Sequence, residues 1–564
     1  MGDAHDRKEE ETAMLLPPME DYATFIKDYR RPDDPPTFNY ADVIDEYGRD
    51  PSRMALIWTN DKGDERRFTF AEISEASKRI ANVLRERGVG RGDRVIVMLP
   101  RIPEWQMTMI ALFRIGAVSL PSLTMLTPKD LEYRIGQTQP KAVITVCGQA
   151  HKLEELLDPG CVRLVVPYGA GEADGWEDLV ACMASASSVA ASEAMTRADP
   201  GVIYFTSGSS GLPKGVTHSA YFAYGFLEIA AYWFDLNRQR RDDICWGTAD
   251  TGWAFSATCT LIGPWLAGVC AFTYDGPFDP KVRLQLMERY GITLFAAAAS
   301  EYRWMLGEKV SEYDLSRLRL SITGGEALDA PTAYRWMELT GTRFHESYGQ
   351  TESFMSVGNF PVTRIKPGSM GLPMPGMPVD IVDEETFEPL PPGQVGHVAL
   401  RAPFHGLMLG YWNDPERTEA CFRTSASGVR WFITGDLGRK DDDGYFWYEG
   451  RSDDVINAAG YRIGPTEVES VVMSYPAVRE CAAVASPDDK RGVVVKAFVV
   501  LHDGHEPGDE LAREIQNHVK AQTAPYKYPR RIEFVSELPK TPSGKVKRKE
   551  LRDLELARSR QSAA

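Results

Sequence analysis

The residues best placed to do chemistry stand in one short run, Thr206-Ser207-Gly208-Ser209-Ser210-Gly211-Leu212-Pro213-Lys214-Gly215, entered from the apolar stretch Val202-Ile203-Tyr204-Phe205. Glycines let the backbone fold its N–H groups around an anion, hydroxyls add donors, and Lys214 supplies a full positive charge. The run therefore predicts a polyphosphate-binding loop at the end of a strand. It is not the G-x-x-x-x-G-K-[ST] box of P-loop nucleoside triphosphatases, because five positions after Gly208 comes Pro213 and Lys214 is followed by Gly215. A flexible glycine–serine turn would share the composition but not the order Thr-Ser-Gly-x-x-Gly-x-Pro-Lys-Gly.

Further runs follow: Gly324-Gly325-Glu326-Ala327, Tyr348-Gly349-Gln350-Thr351-Glu352, Thr434-Gly435-Asp436, Gly450-Arg451-Ser452-Asp453-Asp454 and Leu538-Pro539-Lys540-Thr541-Pro542-Ser543-Gly544-Lys545. Taken together and in this order, they resemble the adenylate-forming superfamily, which includes acyl-CoA synthetases, peptide-synthetase adenylation domains and beetle luciferases. The segments 457–465 and 523–529 look most like medium-chain acyl-CoA synthetases, with benzoate-type ligases close behind.

The resemblance implies an ATP-dependent, AMP-forming acid–CoA ligase that turns a short- or medium-chain or aromatic carboxylic acid into its acyl-CoA through an acyl-adenylate. ATP, Mg2+ and coenzyme A are the implied cofactors and co-substrates. ATP would be held by Thr206, Ser207, Gly208, Ser209, Ser210, Gly211, Lys214, Gly325, Glu326, Ala327, Glu346, Ser347, Tyr348, Gly349, Gln350, Thr351, Asp436, Arg451 and Lys545. Within that set the Tyr348 ring would lie against adenine, Asp436 would accept from the ribose hydroxyls and Arg451 would reach the ribose or phosphates. Thr351 would donate to the α-phosphate, and Glu352 is the implied carboxylate for Mg2+, a hard ion shared between one or two carboxylates and substrate phosphates.

Lys545, Thr351 and Lys214 carry the implied catalysis. When a carboxylate attacks the α-phosphorus, two anions meet, and a cation bridging them stabilises charge that grows in the transition state. The family pattern assigns that place to Lys545, and leaves Lys540, Lys547, Arg548 and Lys549 as surface or nucleotide-attracting charges. Acetylation would neutralise Lys545 and switch adenylation off. Gly460, within Ala459-Gly460-Tyr461-Arg462, resembles the glycine that leaves room for the pantetheine arm, and Arg462, Arg491, Lys520 and Arg530 are candidates for the CoA phosphates. Asp453 matches the hinge position. Acetate-specific relatives carry a bulky Trp where this chain has Gly349, so acetate is not expected. Trp253 and Gly349 are taken as acyl-pocket residues, with Trp246, Phe255 and Trp265 as further candidates, although an aromatic cluster of this kind is more often plain core.

These residues need a large scaffold. At 564 residues the chain exceeds one hydrophobic core, and 43% hydrophobic with 26% charged residues is ordinary for a globular enzyme. Thr69 and Glu72 form a capping box ahead of Ile73, Ala76, Ile80 and Leu84 at helical spacing, with Gly88 closing the helix. Val95 to Leu99 reads as a strand and Trp105 to Ile115 as a helix, so helix and strand alternate around a parallel sheet. Ala184 to Ala194 reads as a surface linker. Strands are expected at Ala482–Val484 and Val493–Val500, and a helix at 511–519. The alternation gives an α/β fold class, and the resemblance implies its layout: a large N-terminal domain of doubly wound sheets with a β-barrel-like subdomain, and a small α+β C-terminal domain on a hinge. Its expected parts are an arm over 1–36, an AMP- and acyl-binding domain over 37–450 and a mobile domain over 451–564.

A net charge of −16 disfavours nucleic acid as a partner. No apolar run is long enough to span a membrane, Asp3, Asp6 and Glu9 to Glu11 replace a basic leader, and the ending Gln561-Ser562-Ala563-Ala564 matches no targeting or lipidation box. Cytoplasmic location is the resulting expectation, and homo-oligomerisation stays open. The eight cysteines lack C-x-x-C spacing and read as buried thiols. A stand-alone enzyme acylating a carrier protein remains an alternative; a catalytically silent nucleotide-binding scaffold is opposed by the joint presence of Lys214, Glu352, Asp436 and Lys545.

Overall fold

The computed structural model describes residues 16–206, 213–236, 241–325, 328–452, 454–458, 461–488, 492–523, 527–540 and 546–562, with backbone alone at 457, 461–462 and 560–562. The described chain divides into two compact units. One runs to Pro367 and adds Pro373–Met377 and Pro403–Ala420; the other comprises Gly368–Leu372, Pro378–Ala402 and Cys421 onward.

The first unit is built on two mainly parallel sheets. One has the strand order Gly410–Tyr411, Lys214–Ser219, Pro200–Thr206, Val118–Pro121, Arg94–Met98, Ala142–Val146, Val162–Val166, Glu177–Asp178. Its centre is doubly wound, since Val95 pairs in parallel with Ser119 on one side and Ala142 on the other. The second sheet runs from Phe354–Gly358 through Arg343–Gln350, Leu320–Gly324, Leu294–Ala296, Ile244–Gly247, Cys270–Asp275 and Met54–Asn60 to Glu65–Thr69.

Helix Phe70–Glu86 starts at Thr69, where both bonds of the capping box with Glu72 are present. Pro103–Arg114 follows with Pro103 in its first turn and every residue buried. Its last residue, Arg114, is fully buried and paired with Asp45 at 2.8 Å, as an interior guanidinium requires.

The stretch read as a linker is helical as far as Ser185. Beyond it, Arg79 donates to the Ala186 carbonyl, Asn82 to Ser187 and Val189, and Arg85 to Ala191. An extended backbone without a ladder has thus found side-chain donors on helix Phe70–Glu86, a tertiary solution that no local period announces. The N-terminal arm is likewise fastened within its unit: Tyr29 and Arg31 both bind the buried carboxylate of Glu228, and Tyr22 donates to the Pro373 carbonyl.

In the second unit, Val379–Val382, Gly396–Arg401, Arg430–Lys440, Phe422–Thr424 and Phe446–Arg451 form an antiparallel sheet where the barrel-like subdomain was expected. The C-terminal part pairs Val478–Asp488 with Gly492–Leu501 and adds Arg531–Phe534 in parallel. Its core holds Ile456, Val468, Val472, Val495, Ile515 and Val519. Helix Arg548–Ser562 is pinned by charge: Arg548 to Glu469, Arg552 to Asp454, and Glu555 to the largely buried Lys496 at 2.7 Å. All eight cysteines are free thiols, and among the described residues no helix is long and apolar enough to cross a membrane.

Candidate active site

Strands Pro200–Thr206 and Lys214–Ser219 pair antiparallel, with Thr206 opposite Lys214, so the two ends of the expected anion loop close on each other. Ser207, Gly208, Ser209, Ser210 and Gly211 lie outside the described residues. Pro200–Thr206 runs parallel to Val118–Pro121, so the loop leaves at the carboxyl edge of the sheet, where open α/β sheets bind ligands. Leu320–Gly324 ends at the corresponding edge of the other sheet, followed by Gly325 at φ 85°. Glu326 and Ala327 lie outside the described residues.

Arg343–Gln350 pairs in parallel with Leu320–Gly324 as far as Ser347 opposite Gly324. Tyr348, Gly349 and Gln350 therefore overshoot that edge before the chain turns back at Thr351-Glu352 into Phe354–Gly358. The Thr351 carbonyl lies 2.6 Å from Nε2 of buried His218. Burial holds the His218 ring down at about 4 against the opposing pull of that carbonyl, so the ring is neutral at ordinary pH and donates from Nε2.

Glu352 is buried, and its Oε1 accepts from the Tyr411 hydroxyl at 2.8 Å. Among the described residues its Oε2 has no hydrogen-bond partner and no cation pairs with it. The Tyr411 ring lies 5.1 Å from the Lys214 ammonium, and Lys214 too pairs with no carboxylate among the described residues. A carboxylate with a spare oxygen and no cation fits a hard divalent ion shared with substrate phosphates, so Glu352 would hold Mg2+ there.

Glycine at 349 has a backbone cause. A Cβ there would lie 1.9 Å from the Phe354 carbonyl oxygen, because the hairpin slips register between Tyr348 and Gly349. Phe354 itself sits at φ 58°, a strained setting for a non-glycine residue. Its ring occupies a slot that a Cβ on Gly225 or Gly406 would enter to 2.7 Å, and it packs on His218, Phe222 and Phe226. Glu346 is pushed up to about 8 by burial, against the hydrogen bond from the Leu328 amide. Ser347 is buried, and its Oγ lies 2.8 Å from a Cβ built on Gly324, with the Phe255 ring 3.4 Å from the same point. Of the acyl-pocket candidates, Trp246 and Trp265 belong to the core: Trp246 packs edge-on to Phe272 and Phe295, and Trp265 donates to the Ala55 carbonyl. Large indoles serve cores as readily as pockets, and sequence alone does not separate the two. Trp253 is half-buried at the start of the short helix Ala254–Ala257.

In the second unit, Asp436 and Arg451 stand opposite each other on paired strands. Arg451 donates to Asp436 Oδ1 at 3.2 Å and the Tyr448 hydroxyl to the same oxygen at 3.4 Å. Gly435, at φ 78°, lets the guanidinium lie against the backbone. Lys520 and Arg530 are brought together by Tyr528, whose ring lies 4.3 Å from the Lys520 ammonium and 4.9 Å from the Arg530 guanidinium. Strands Ile456–Ala458 and Tyr461–Ile463 pair antiparallel; the side chains of Tyr461 and Arg462, and all of Asp453, Ala459, Gly460, Arg491 and Lys545, lie outside the described residues.

Sequence reasoning missed His218, Tyr411, Tyr448 and Tyr528. His218 shares strand parity with Lys214 and was legible in principle. Tyr411 was not, since only strand pairing brings it opposite Val216.

The chain matches the AMP-binding enzyme family over residues 45–412 and the AMP-binding enzyme C-terminal domain over residues 467–545. It is 41% identical over 544 residues, 92% of this chain and 90% of the relative, to acyl-coenzyme A synthetase ACSM3, mitochondrial, of Homo sapiens. Among solved structures, the anthranilate CoA ligase AuaEII in complex with anthranoyl-AMP superposes with a TM-score of 0.83 at 30% identity, covering 93% of this chain and 98% of that one. A benzoate CoA ligase from Burkholderia xenovorans LB400 gives 0.78 at 26% identity, covering 91% and 100%. The cytoplasmic expectation is corrected here, because the curated relatives from several mammals are named mitochondrial.

Proposed function

We infer the site chemistry from one premise: the chain belongs to the AMP-binding enzyme family and is an AMP-forming acid–CoA ligase, using ATP, Mg2+ and CoA. Its acid is of short to medium chain length or aromatic. That reading is supported by relatives named for anthranilate and benzoate, and by Phe255 lying beside Gly324.

Lys214 balances charge on the outer phosphates, Thr351 donates to the α-phosphate, and Tyr348 with the backbone around Gly325 walls adenine. Mg2+, when bound, neutralises phosphate charge, and the free Oε2 of Glu352 is the oxygen offered to it. Asp436 accepts from the ribose hydroxyls once Arg451 turns to the phosphates. Lys545 steadies the attacking carboxylate against the α-phosphate. Rotation about Asp453 then exchanges Lys545 for Gly460, whose missing side chain admits the thiol, while Lys520 and Arg530 flank Tyr528 as a seat for CoA phosphates. Acetylation of Lys545 would silence the first step alone; mass-spectrometric comparison of acetylated and deacetylated enzyme, with equal adenylation rates, would remove that idea.

The observation that carries the reading is the meeting of Lys214 and Glu352 on Tyr411, each without an ion-pair partner among the described residues. Its test is AMP release from a series of straight-chain acids and benzoate, with and without CoA. CoA-dependent AMP formation, greatest for medium-chain or aromatic acids, is expected; ADP in place of AMP would refute it.

A further inference from the structure

We infer that Tyr411 is a positioning residue for the triphosphate and its metal, holding the Glu352 carboxylate with its hydroxyl while its ring faces the Lys214 ammonium. The inference rests on the reading of Lys214 and Glu352 given above and adds the group that keeps the two apart.

A half-exposed lysine and a buried glutamate that both reach one ring could instead join in a direct ion pair, which would consume the charges a nucleotide needs. A phenol prevents this. Its hydroxyl, 2.8 Å from Glu352 Oε1, occupies one carboxylate oxygen and leaves Oε2 available. Its π face, 5.1 Å from the Lys214 nitrogen, attracts the ammonium without taking any of its three donors. Both charges are stabilised, and neither is neutralised by any of the described residues.

The backbone fixes the phenol with respect to both partners. Tyr411 lies opposite Val216, on the strand that begins with Lys214. The Leu409 amide donates to the Thr217 carbonyl at 2.8 Å, and the Met408 amide donates to the Glu352 carbonyl at 2.9 Å. On its outer side the Tyr411 amide donates to Thr418 Oγ1 at 2.9 Å. Residues 408–411 are therefore stitched to the lysine strand and to the glutamate turn at once, and the buried ring has little freedom. Phenylalanine would retain the ring and lose the hold on Glu352; leucine would lose both.

The test is calorimetric titration of the full-length enzyme with ATP in the absence of acid, in Mg2+ and again in EDTA, together with Mn2+ binding followed by electron paramagnetic resonance in the presence of ATP. Tyr411→Phe is expected to weaken Mg2+-dependent ATP binding and Mn2+ binding about tenfold, as loss of a hydrogen bond to a charged group does. Its affinity in EDTA should stay within about twofold of wild type, since the cation–π contact persists. Tyr411→Leu should weaken ATP in both media. Melting curves establish folding, and should Tyr411→Phe not fold, 4-fluorophenylalanine introduced at position 411 fills the ring's place without a donor. Wild-type Mn2+ and Mg2+-ATP affinities in a folded non-donor variant overturn the inference. Glu352→Gln and Lys214→Ala run alongside: if they too bind normally, the assignment of the ATP site has failed, and if they bind weakly while Tyr411→Phe does not, only the role of Tyr411 has.

Discussion

Lys214 and Glu352 in the first unit are braced by a phenol and by backbone amides, whereas Asp436 in the second already shares an oxygen with Arg451 at 3.2 Å. The same contrast runs through the rest of each region. Around the Thr351 turn the supports are neutral and buried, among them His218 and the Phe354 ring. In the C-terminal part Asp454, Glu469 and Glu555 are each met by arginine or lysine. A charge held by neutral groups keeps its field for an incoming ligand; a charge already paired must exchange partners to bind one. If the proposed roles hold, the first arrangement would grip nucleotide without rearrangement, whereas the second would have to exchange ion-pair partners.

The contrast can be broken or sharpened experimentally. The largest effect is expected from Lys545→Ala, which should slow adenylate formation by about 100- to 1,000-fold, the usual loss for a transition-state donor, while thioester formation from supplied acyl-adenylate changes little. Gly460→Leu should do the reverse. Pyrophosphate and thioester assays separate the steps, and equal damage to both by both variants would abolish the idea of partner exchange.

Next comes Gly349→Ala. A methyl 1.9 Å from the Phe354 carbonyl forces the hairpin apart, and overpacking of this kind costs about 1–3 kcal/mol, measurable as a lowered unfolding temperature. A Gly349→Ala enzyme as stable as wild type would mean that the Thr351 turn is not rigidly supported.

Two titrating groups, the buried His218 and the half-buried Glu346, give opposite pH signs. His218, held at about 4 in the folded state, would be protonated more readily on unfolding, so its contribution is complete above the ordinary histidine range and declines as pH falls through it toward 4. Glu346, raised to about 8, contributes most below the ordinary carboxylate range and loses that as pH rises through 8. Denaturation midpoints between these limits should fall less at alkaline pH in Glu346→Gln and less at acidic pH in His218→Asn. Identical profiles in all three proteins would show that neither ring nor carboxyl is buried as described.

The smallest effect belongs to Lys520→Ala and Arg530→Ala. Exposed cations are worth about 0.2–1 kcal/mol each, so the KM for CoA should rise a few-fold, and added salt should reduce the difference. If the KM for ATP rose instead, the two half-sites would have been assigned the wrong way round.

Much of this was legible along the chain because the informative groups are local. The strand at Val202–Phe205 and the Thr69/Glu72 cap each depend on neighbours a few residues apart, and backbone geometry at that range follows directly from residue type. The pairing of Asp436 with Arg451 was not legible, for it needs two strands to adopt one register. Trp246 and Trp265 turned out to be core, the commoner fate of such a cluster, but which of the aromatic candidates would be core was not legible, since an indole looks the same to the sequence whether it faces a ligand or a core.

Residue identity and spacing alone thus identified the family and, with it, AMP-forming acid–CoA ligation. What only the tertiary structure decided is how the charges of Lys214 and Glu352 are kept usable. Tyr411 lies 197 positions from Lys214 and 59 from Glu352 in the chain, and it serves both because a two-residue strand pairs beside the lysine. Distances of that kind are set by packing and strand register, which are properties of the whole fold and leave no local trace.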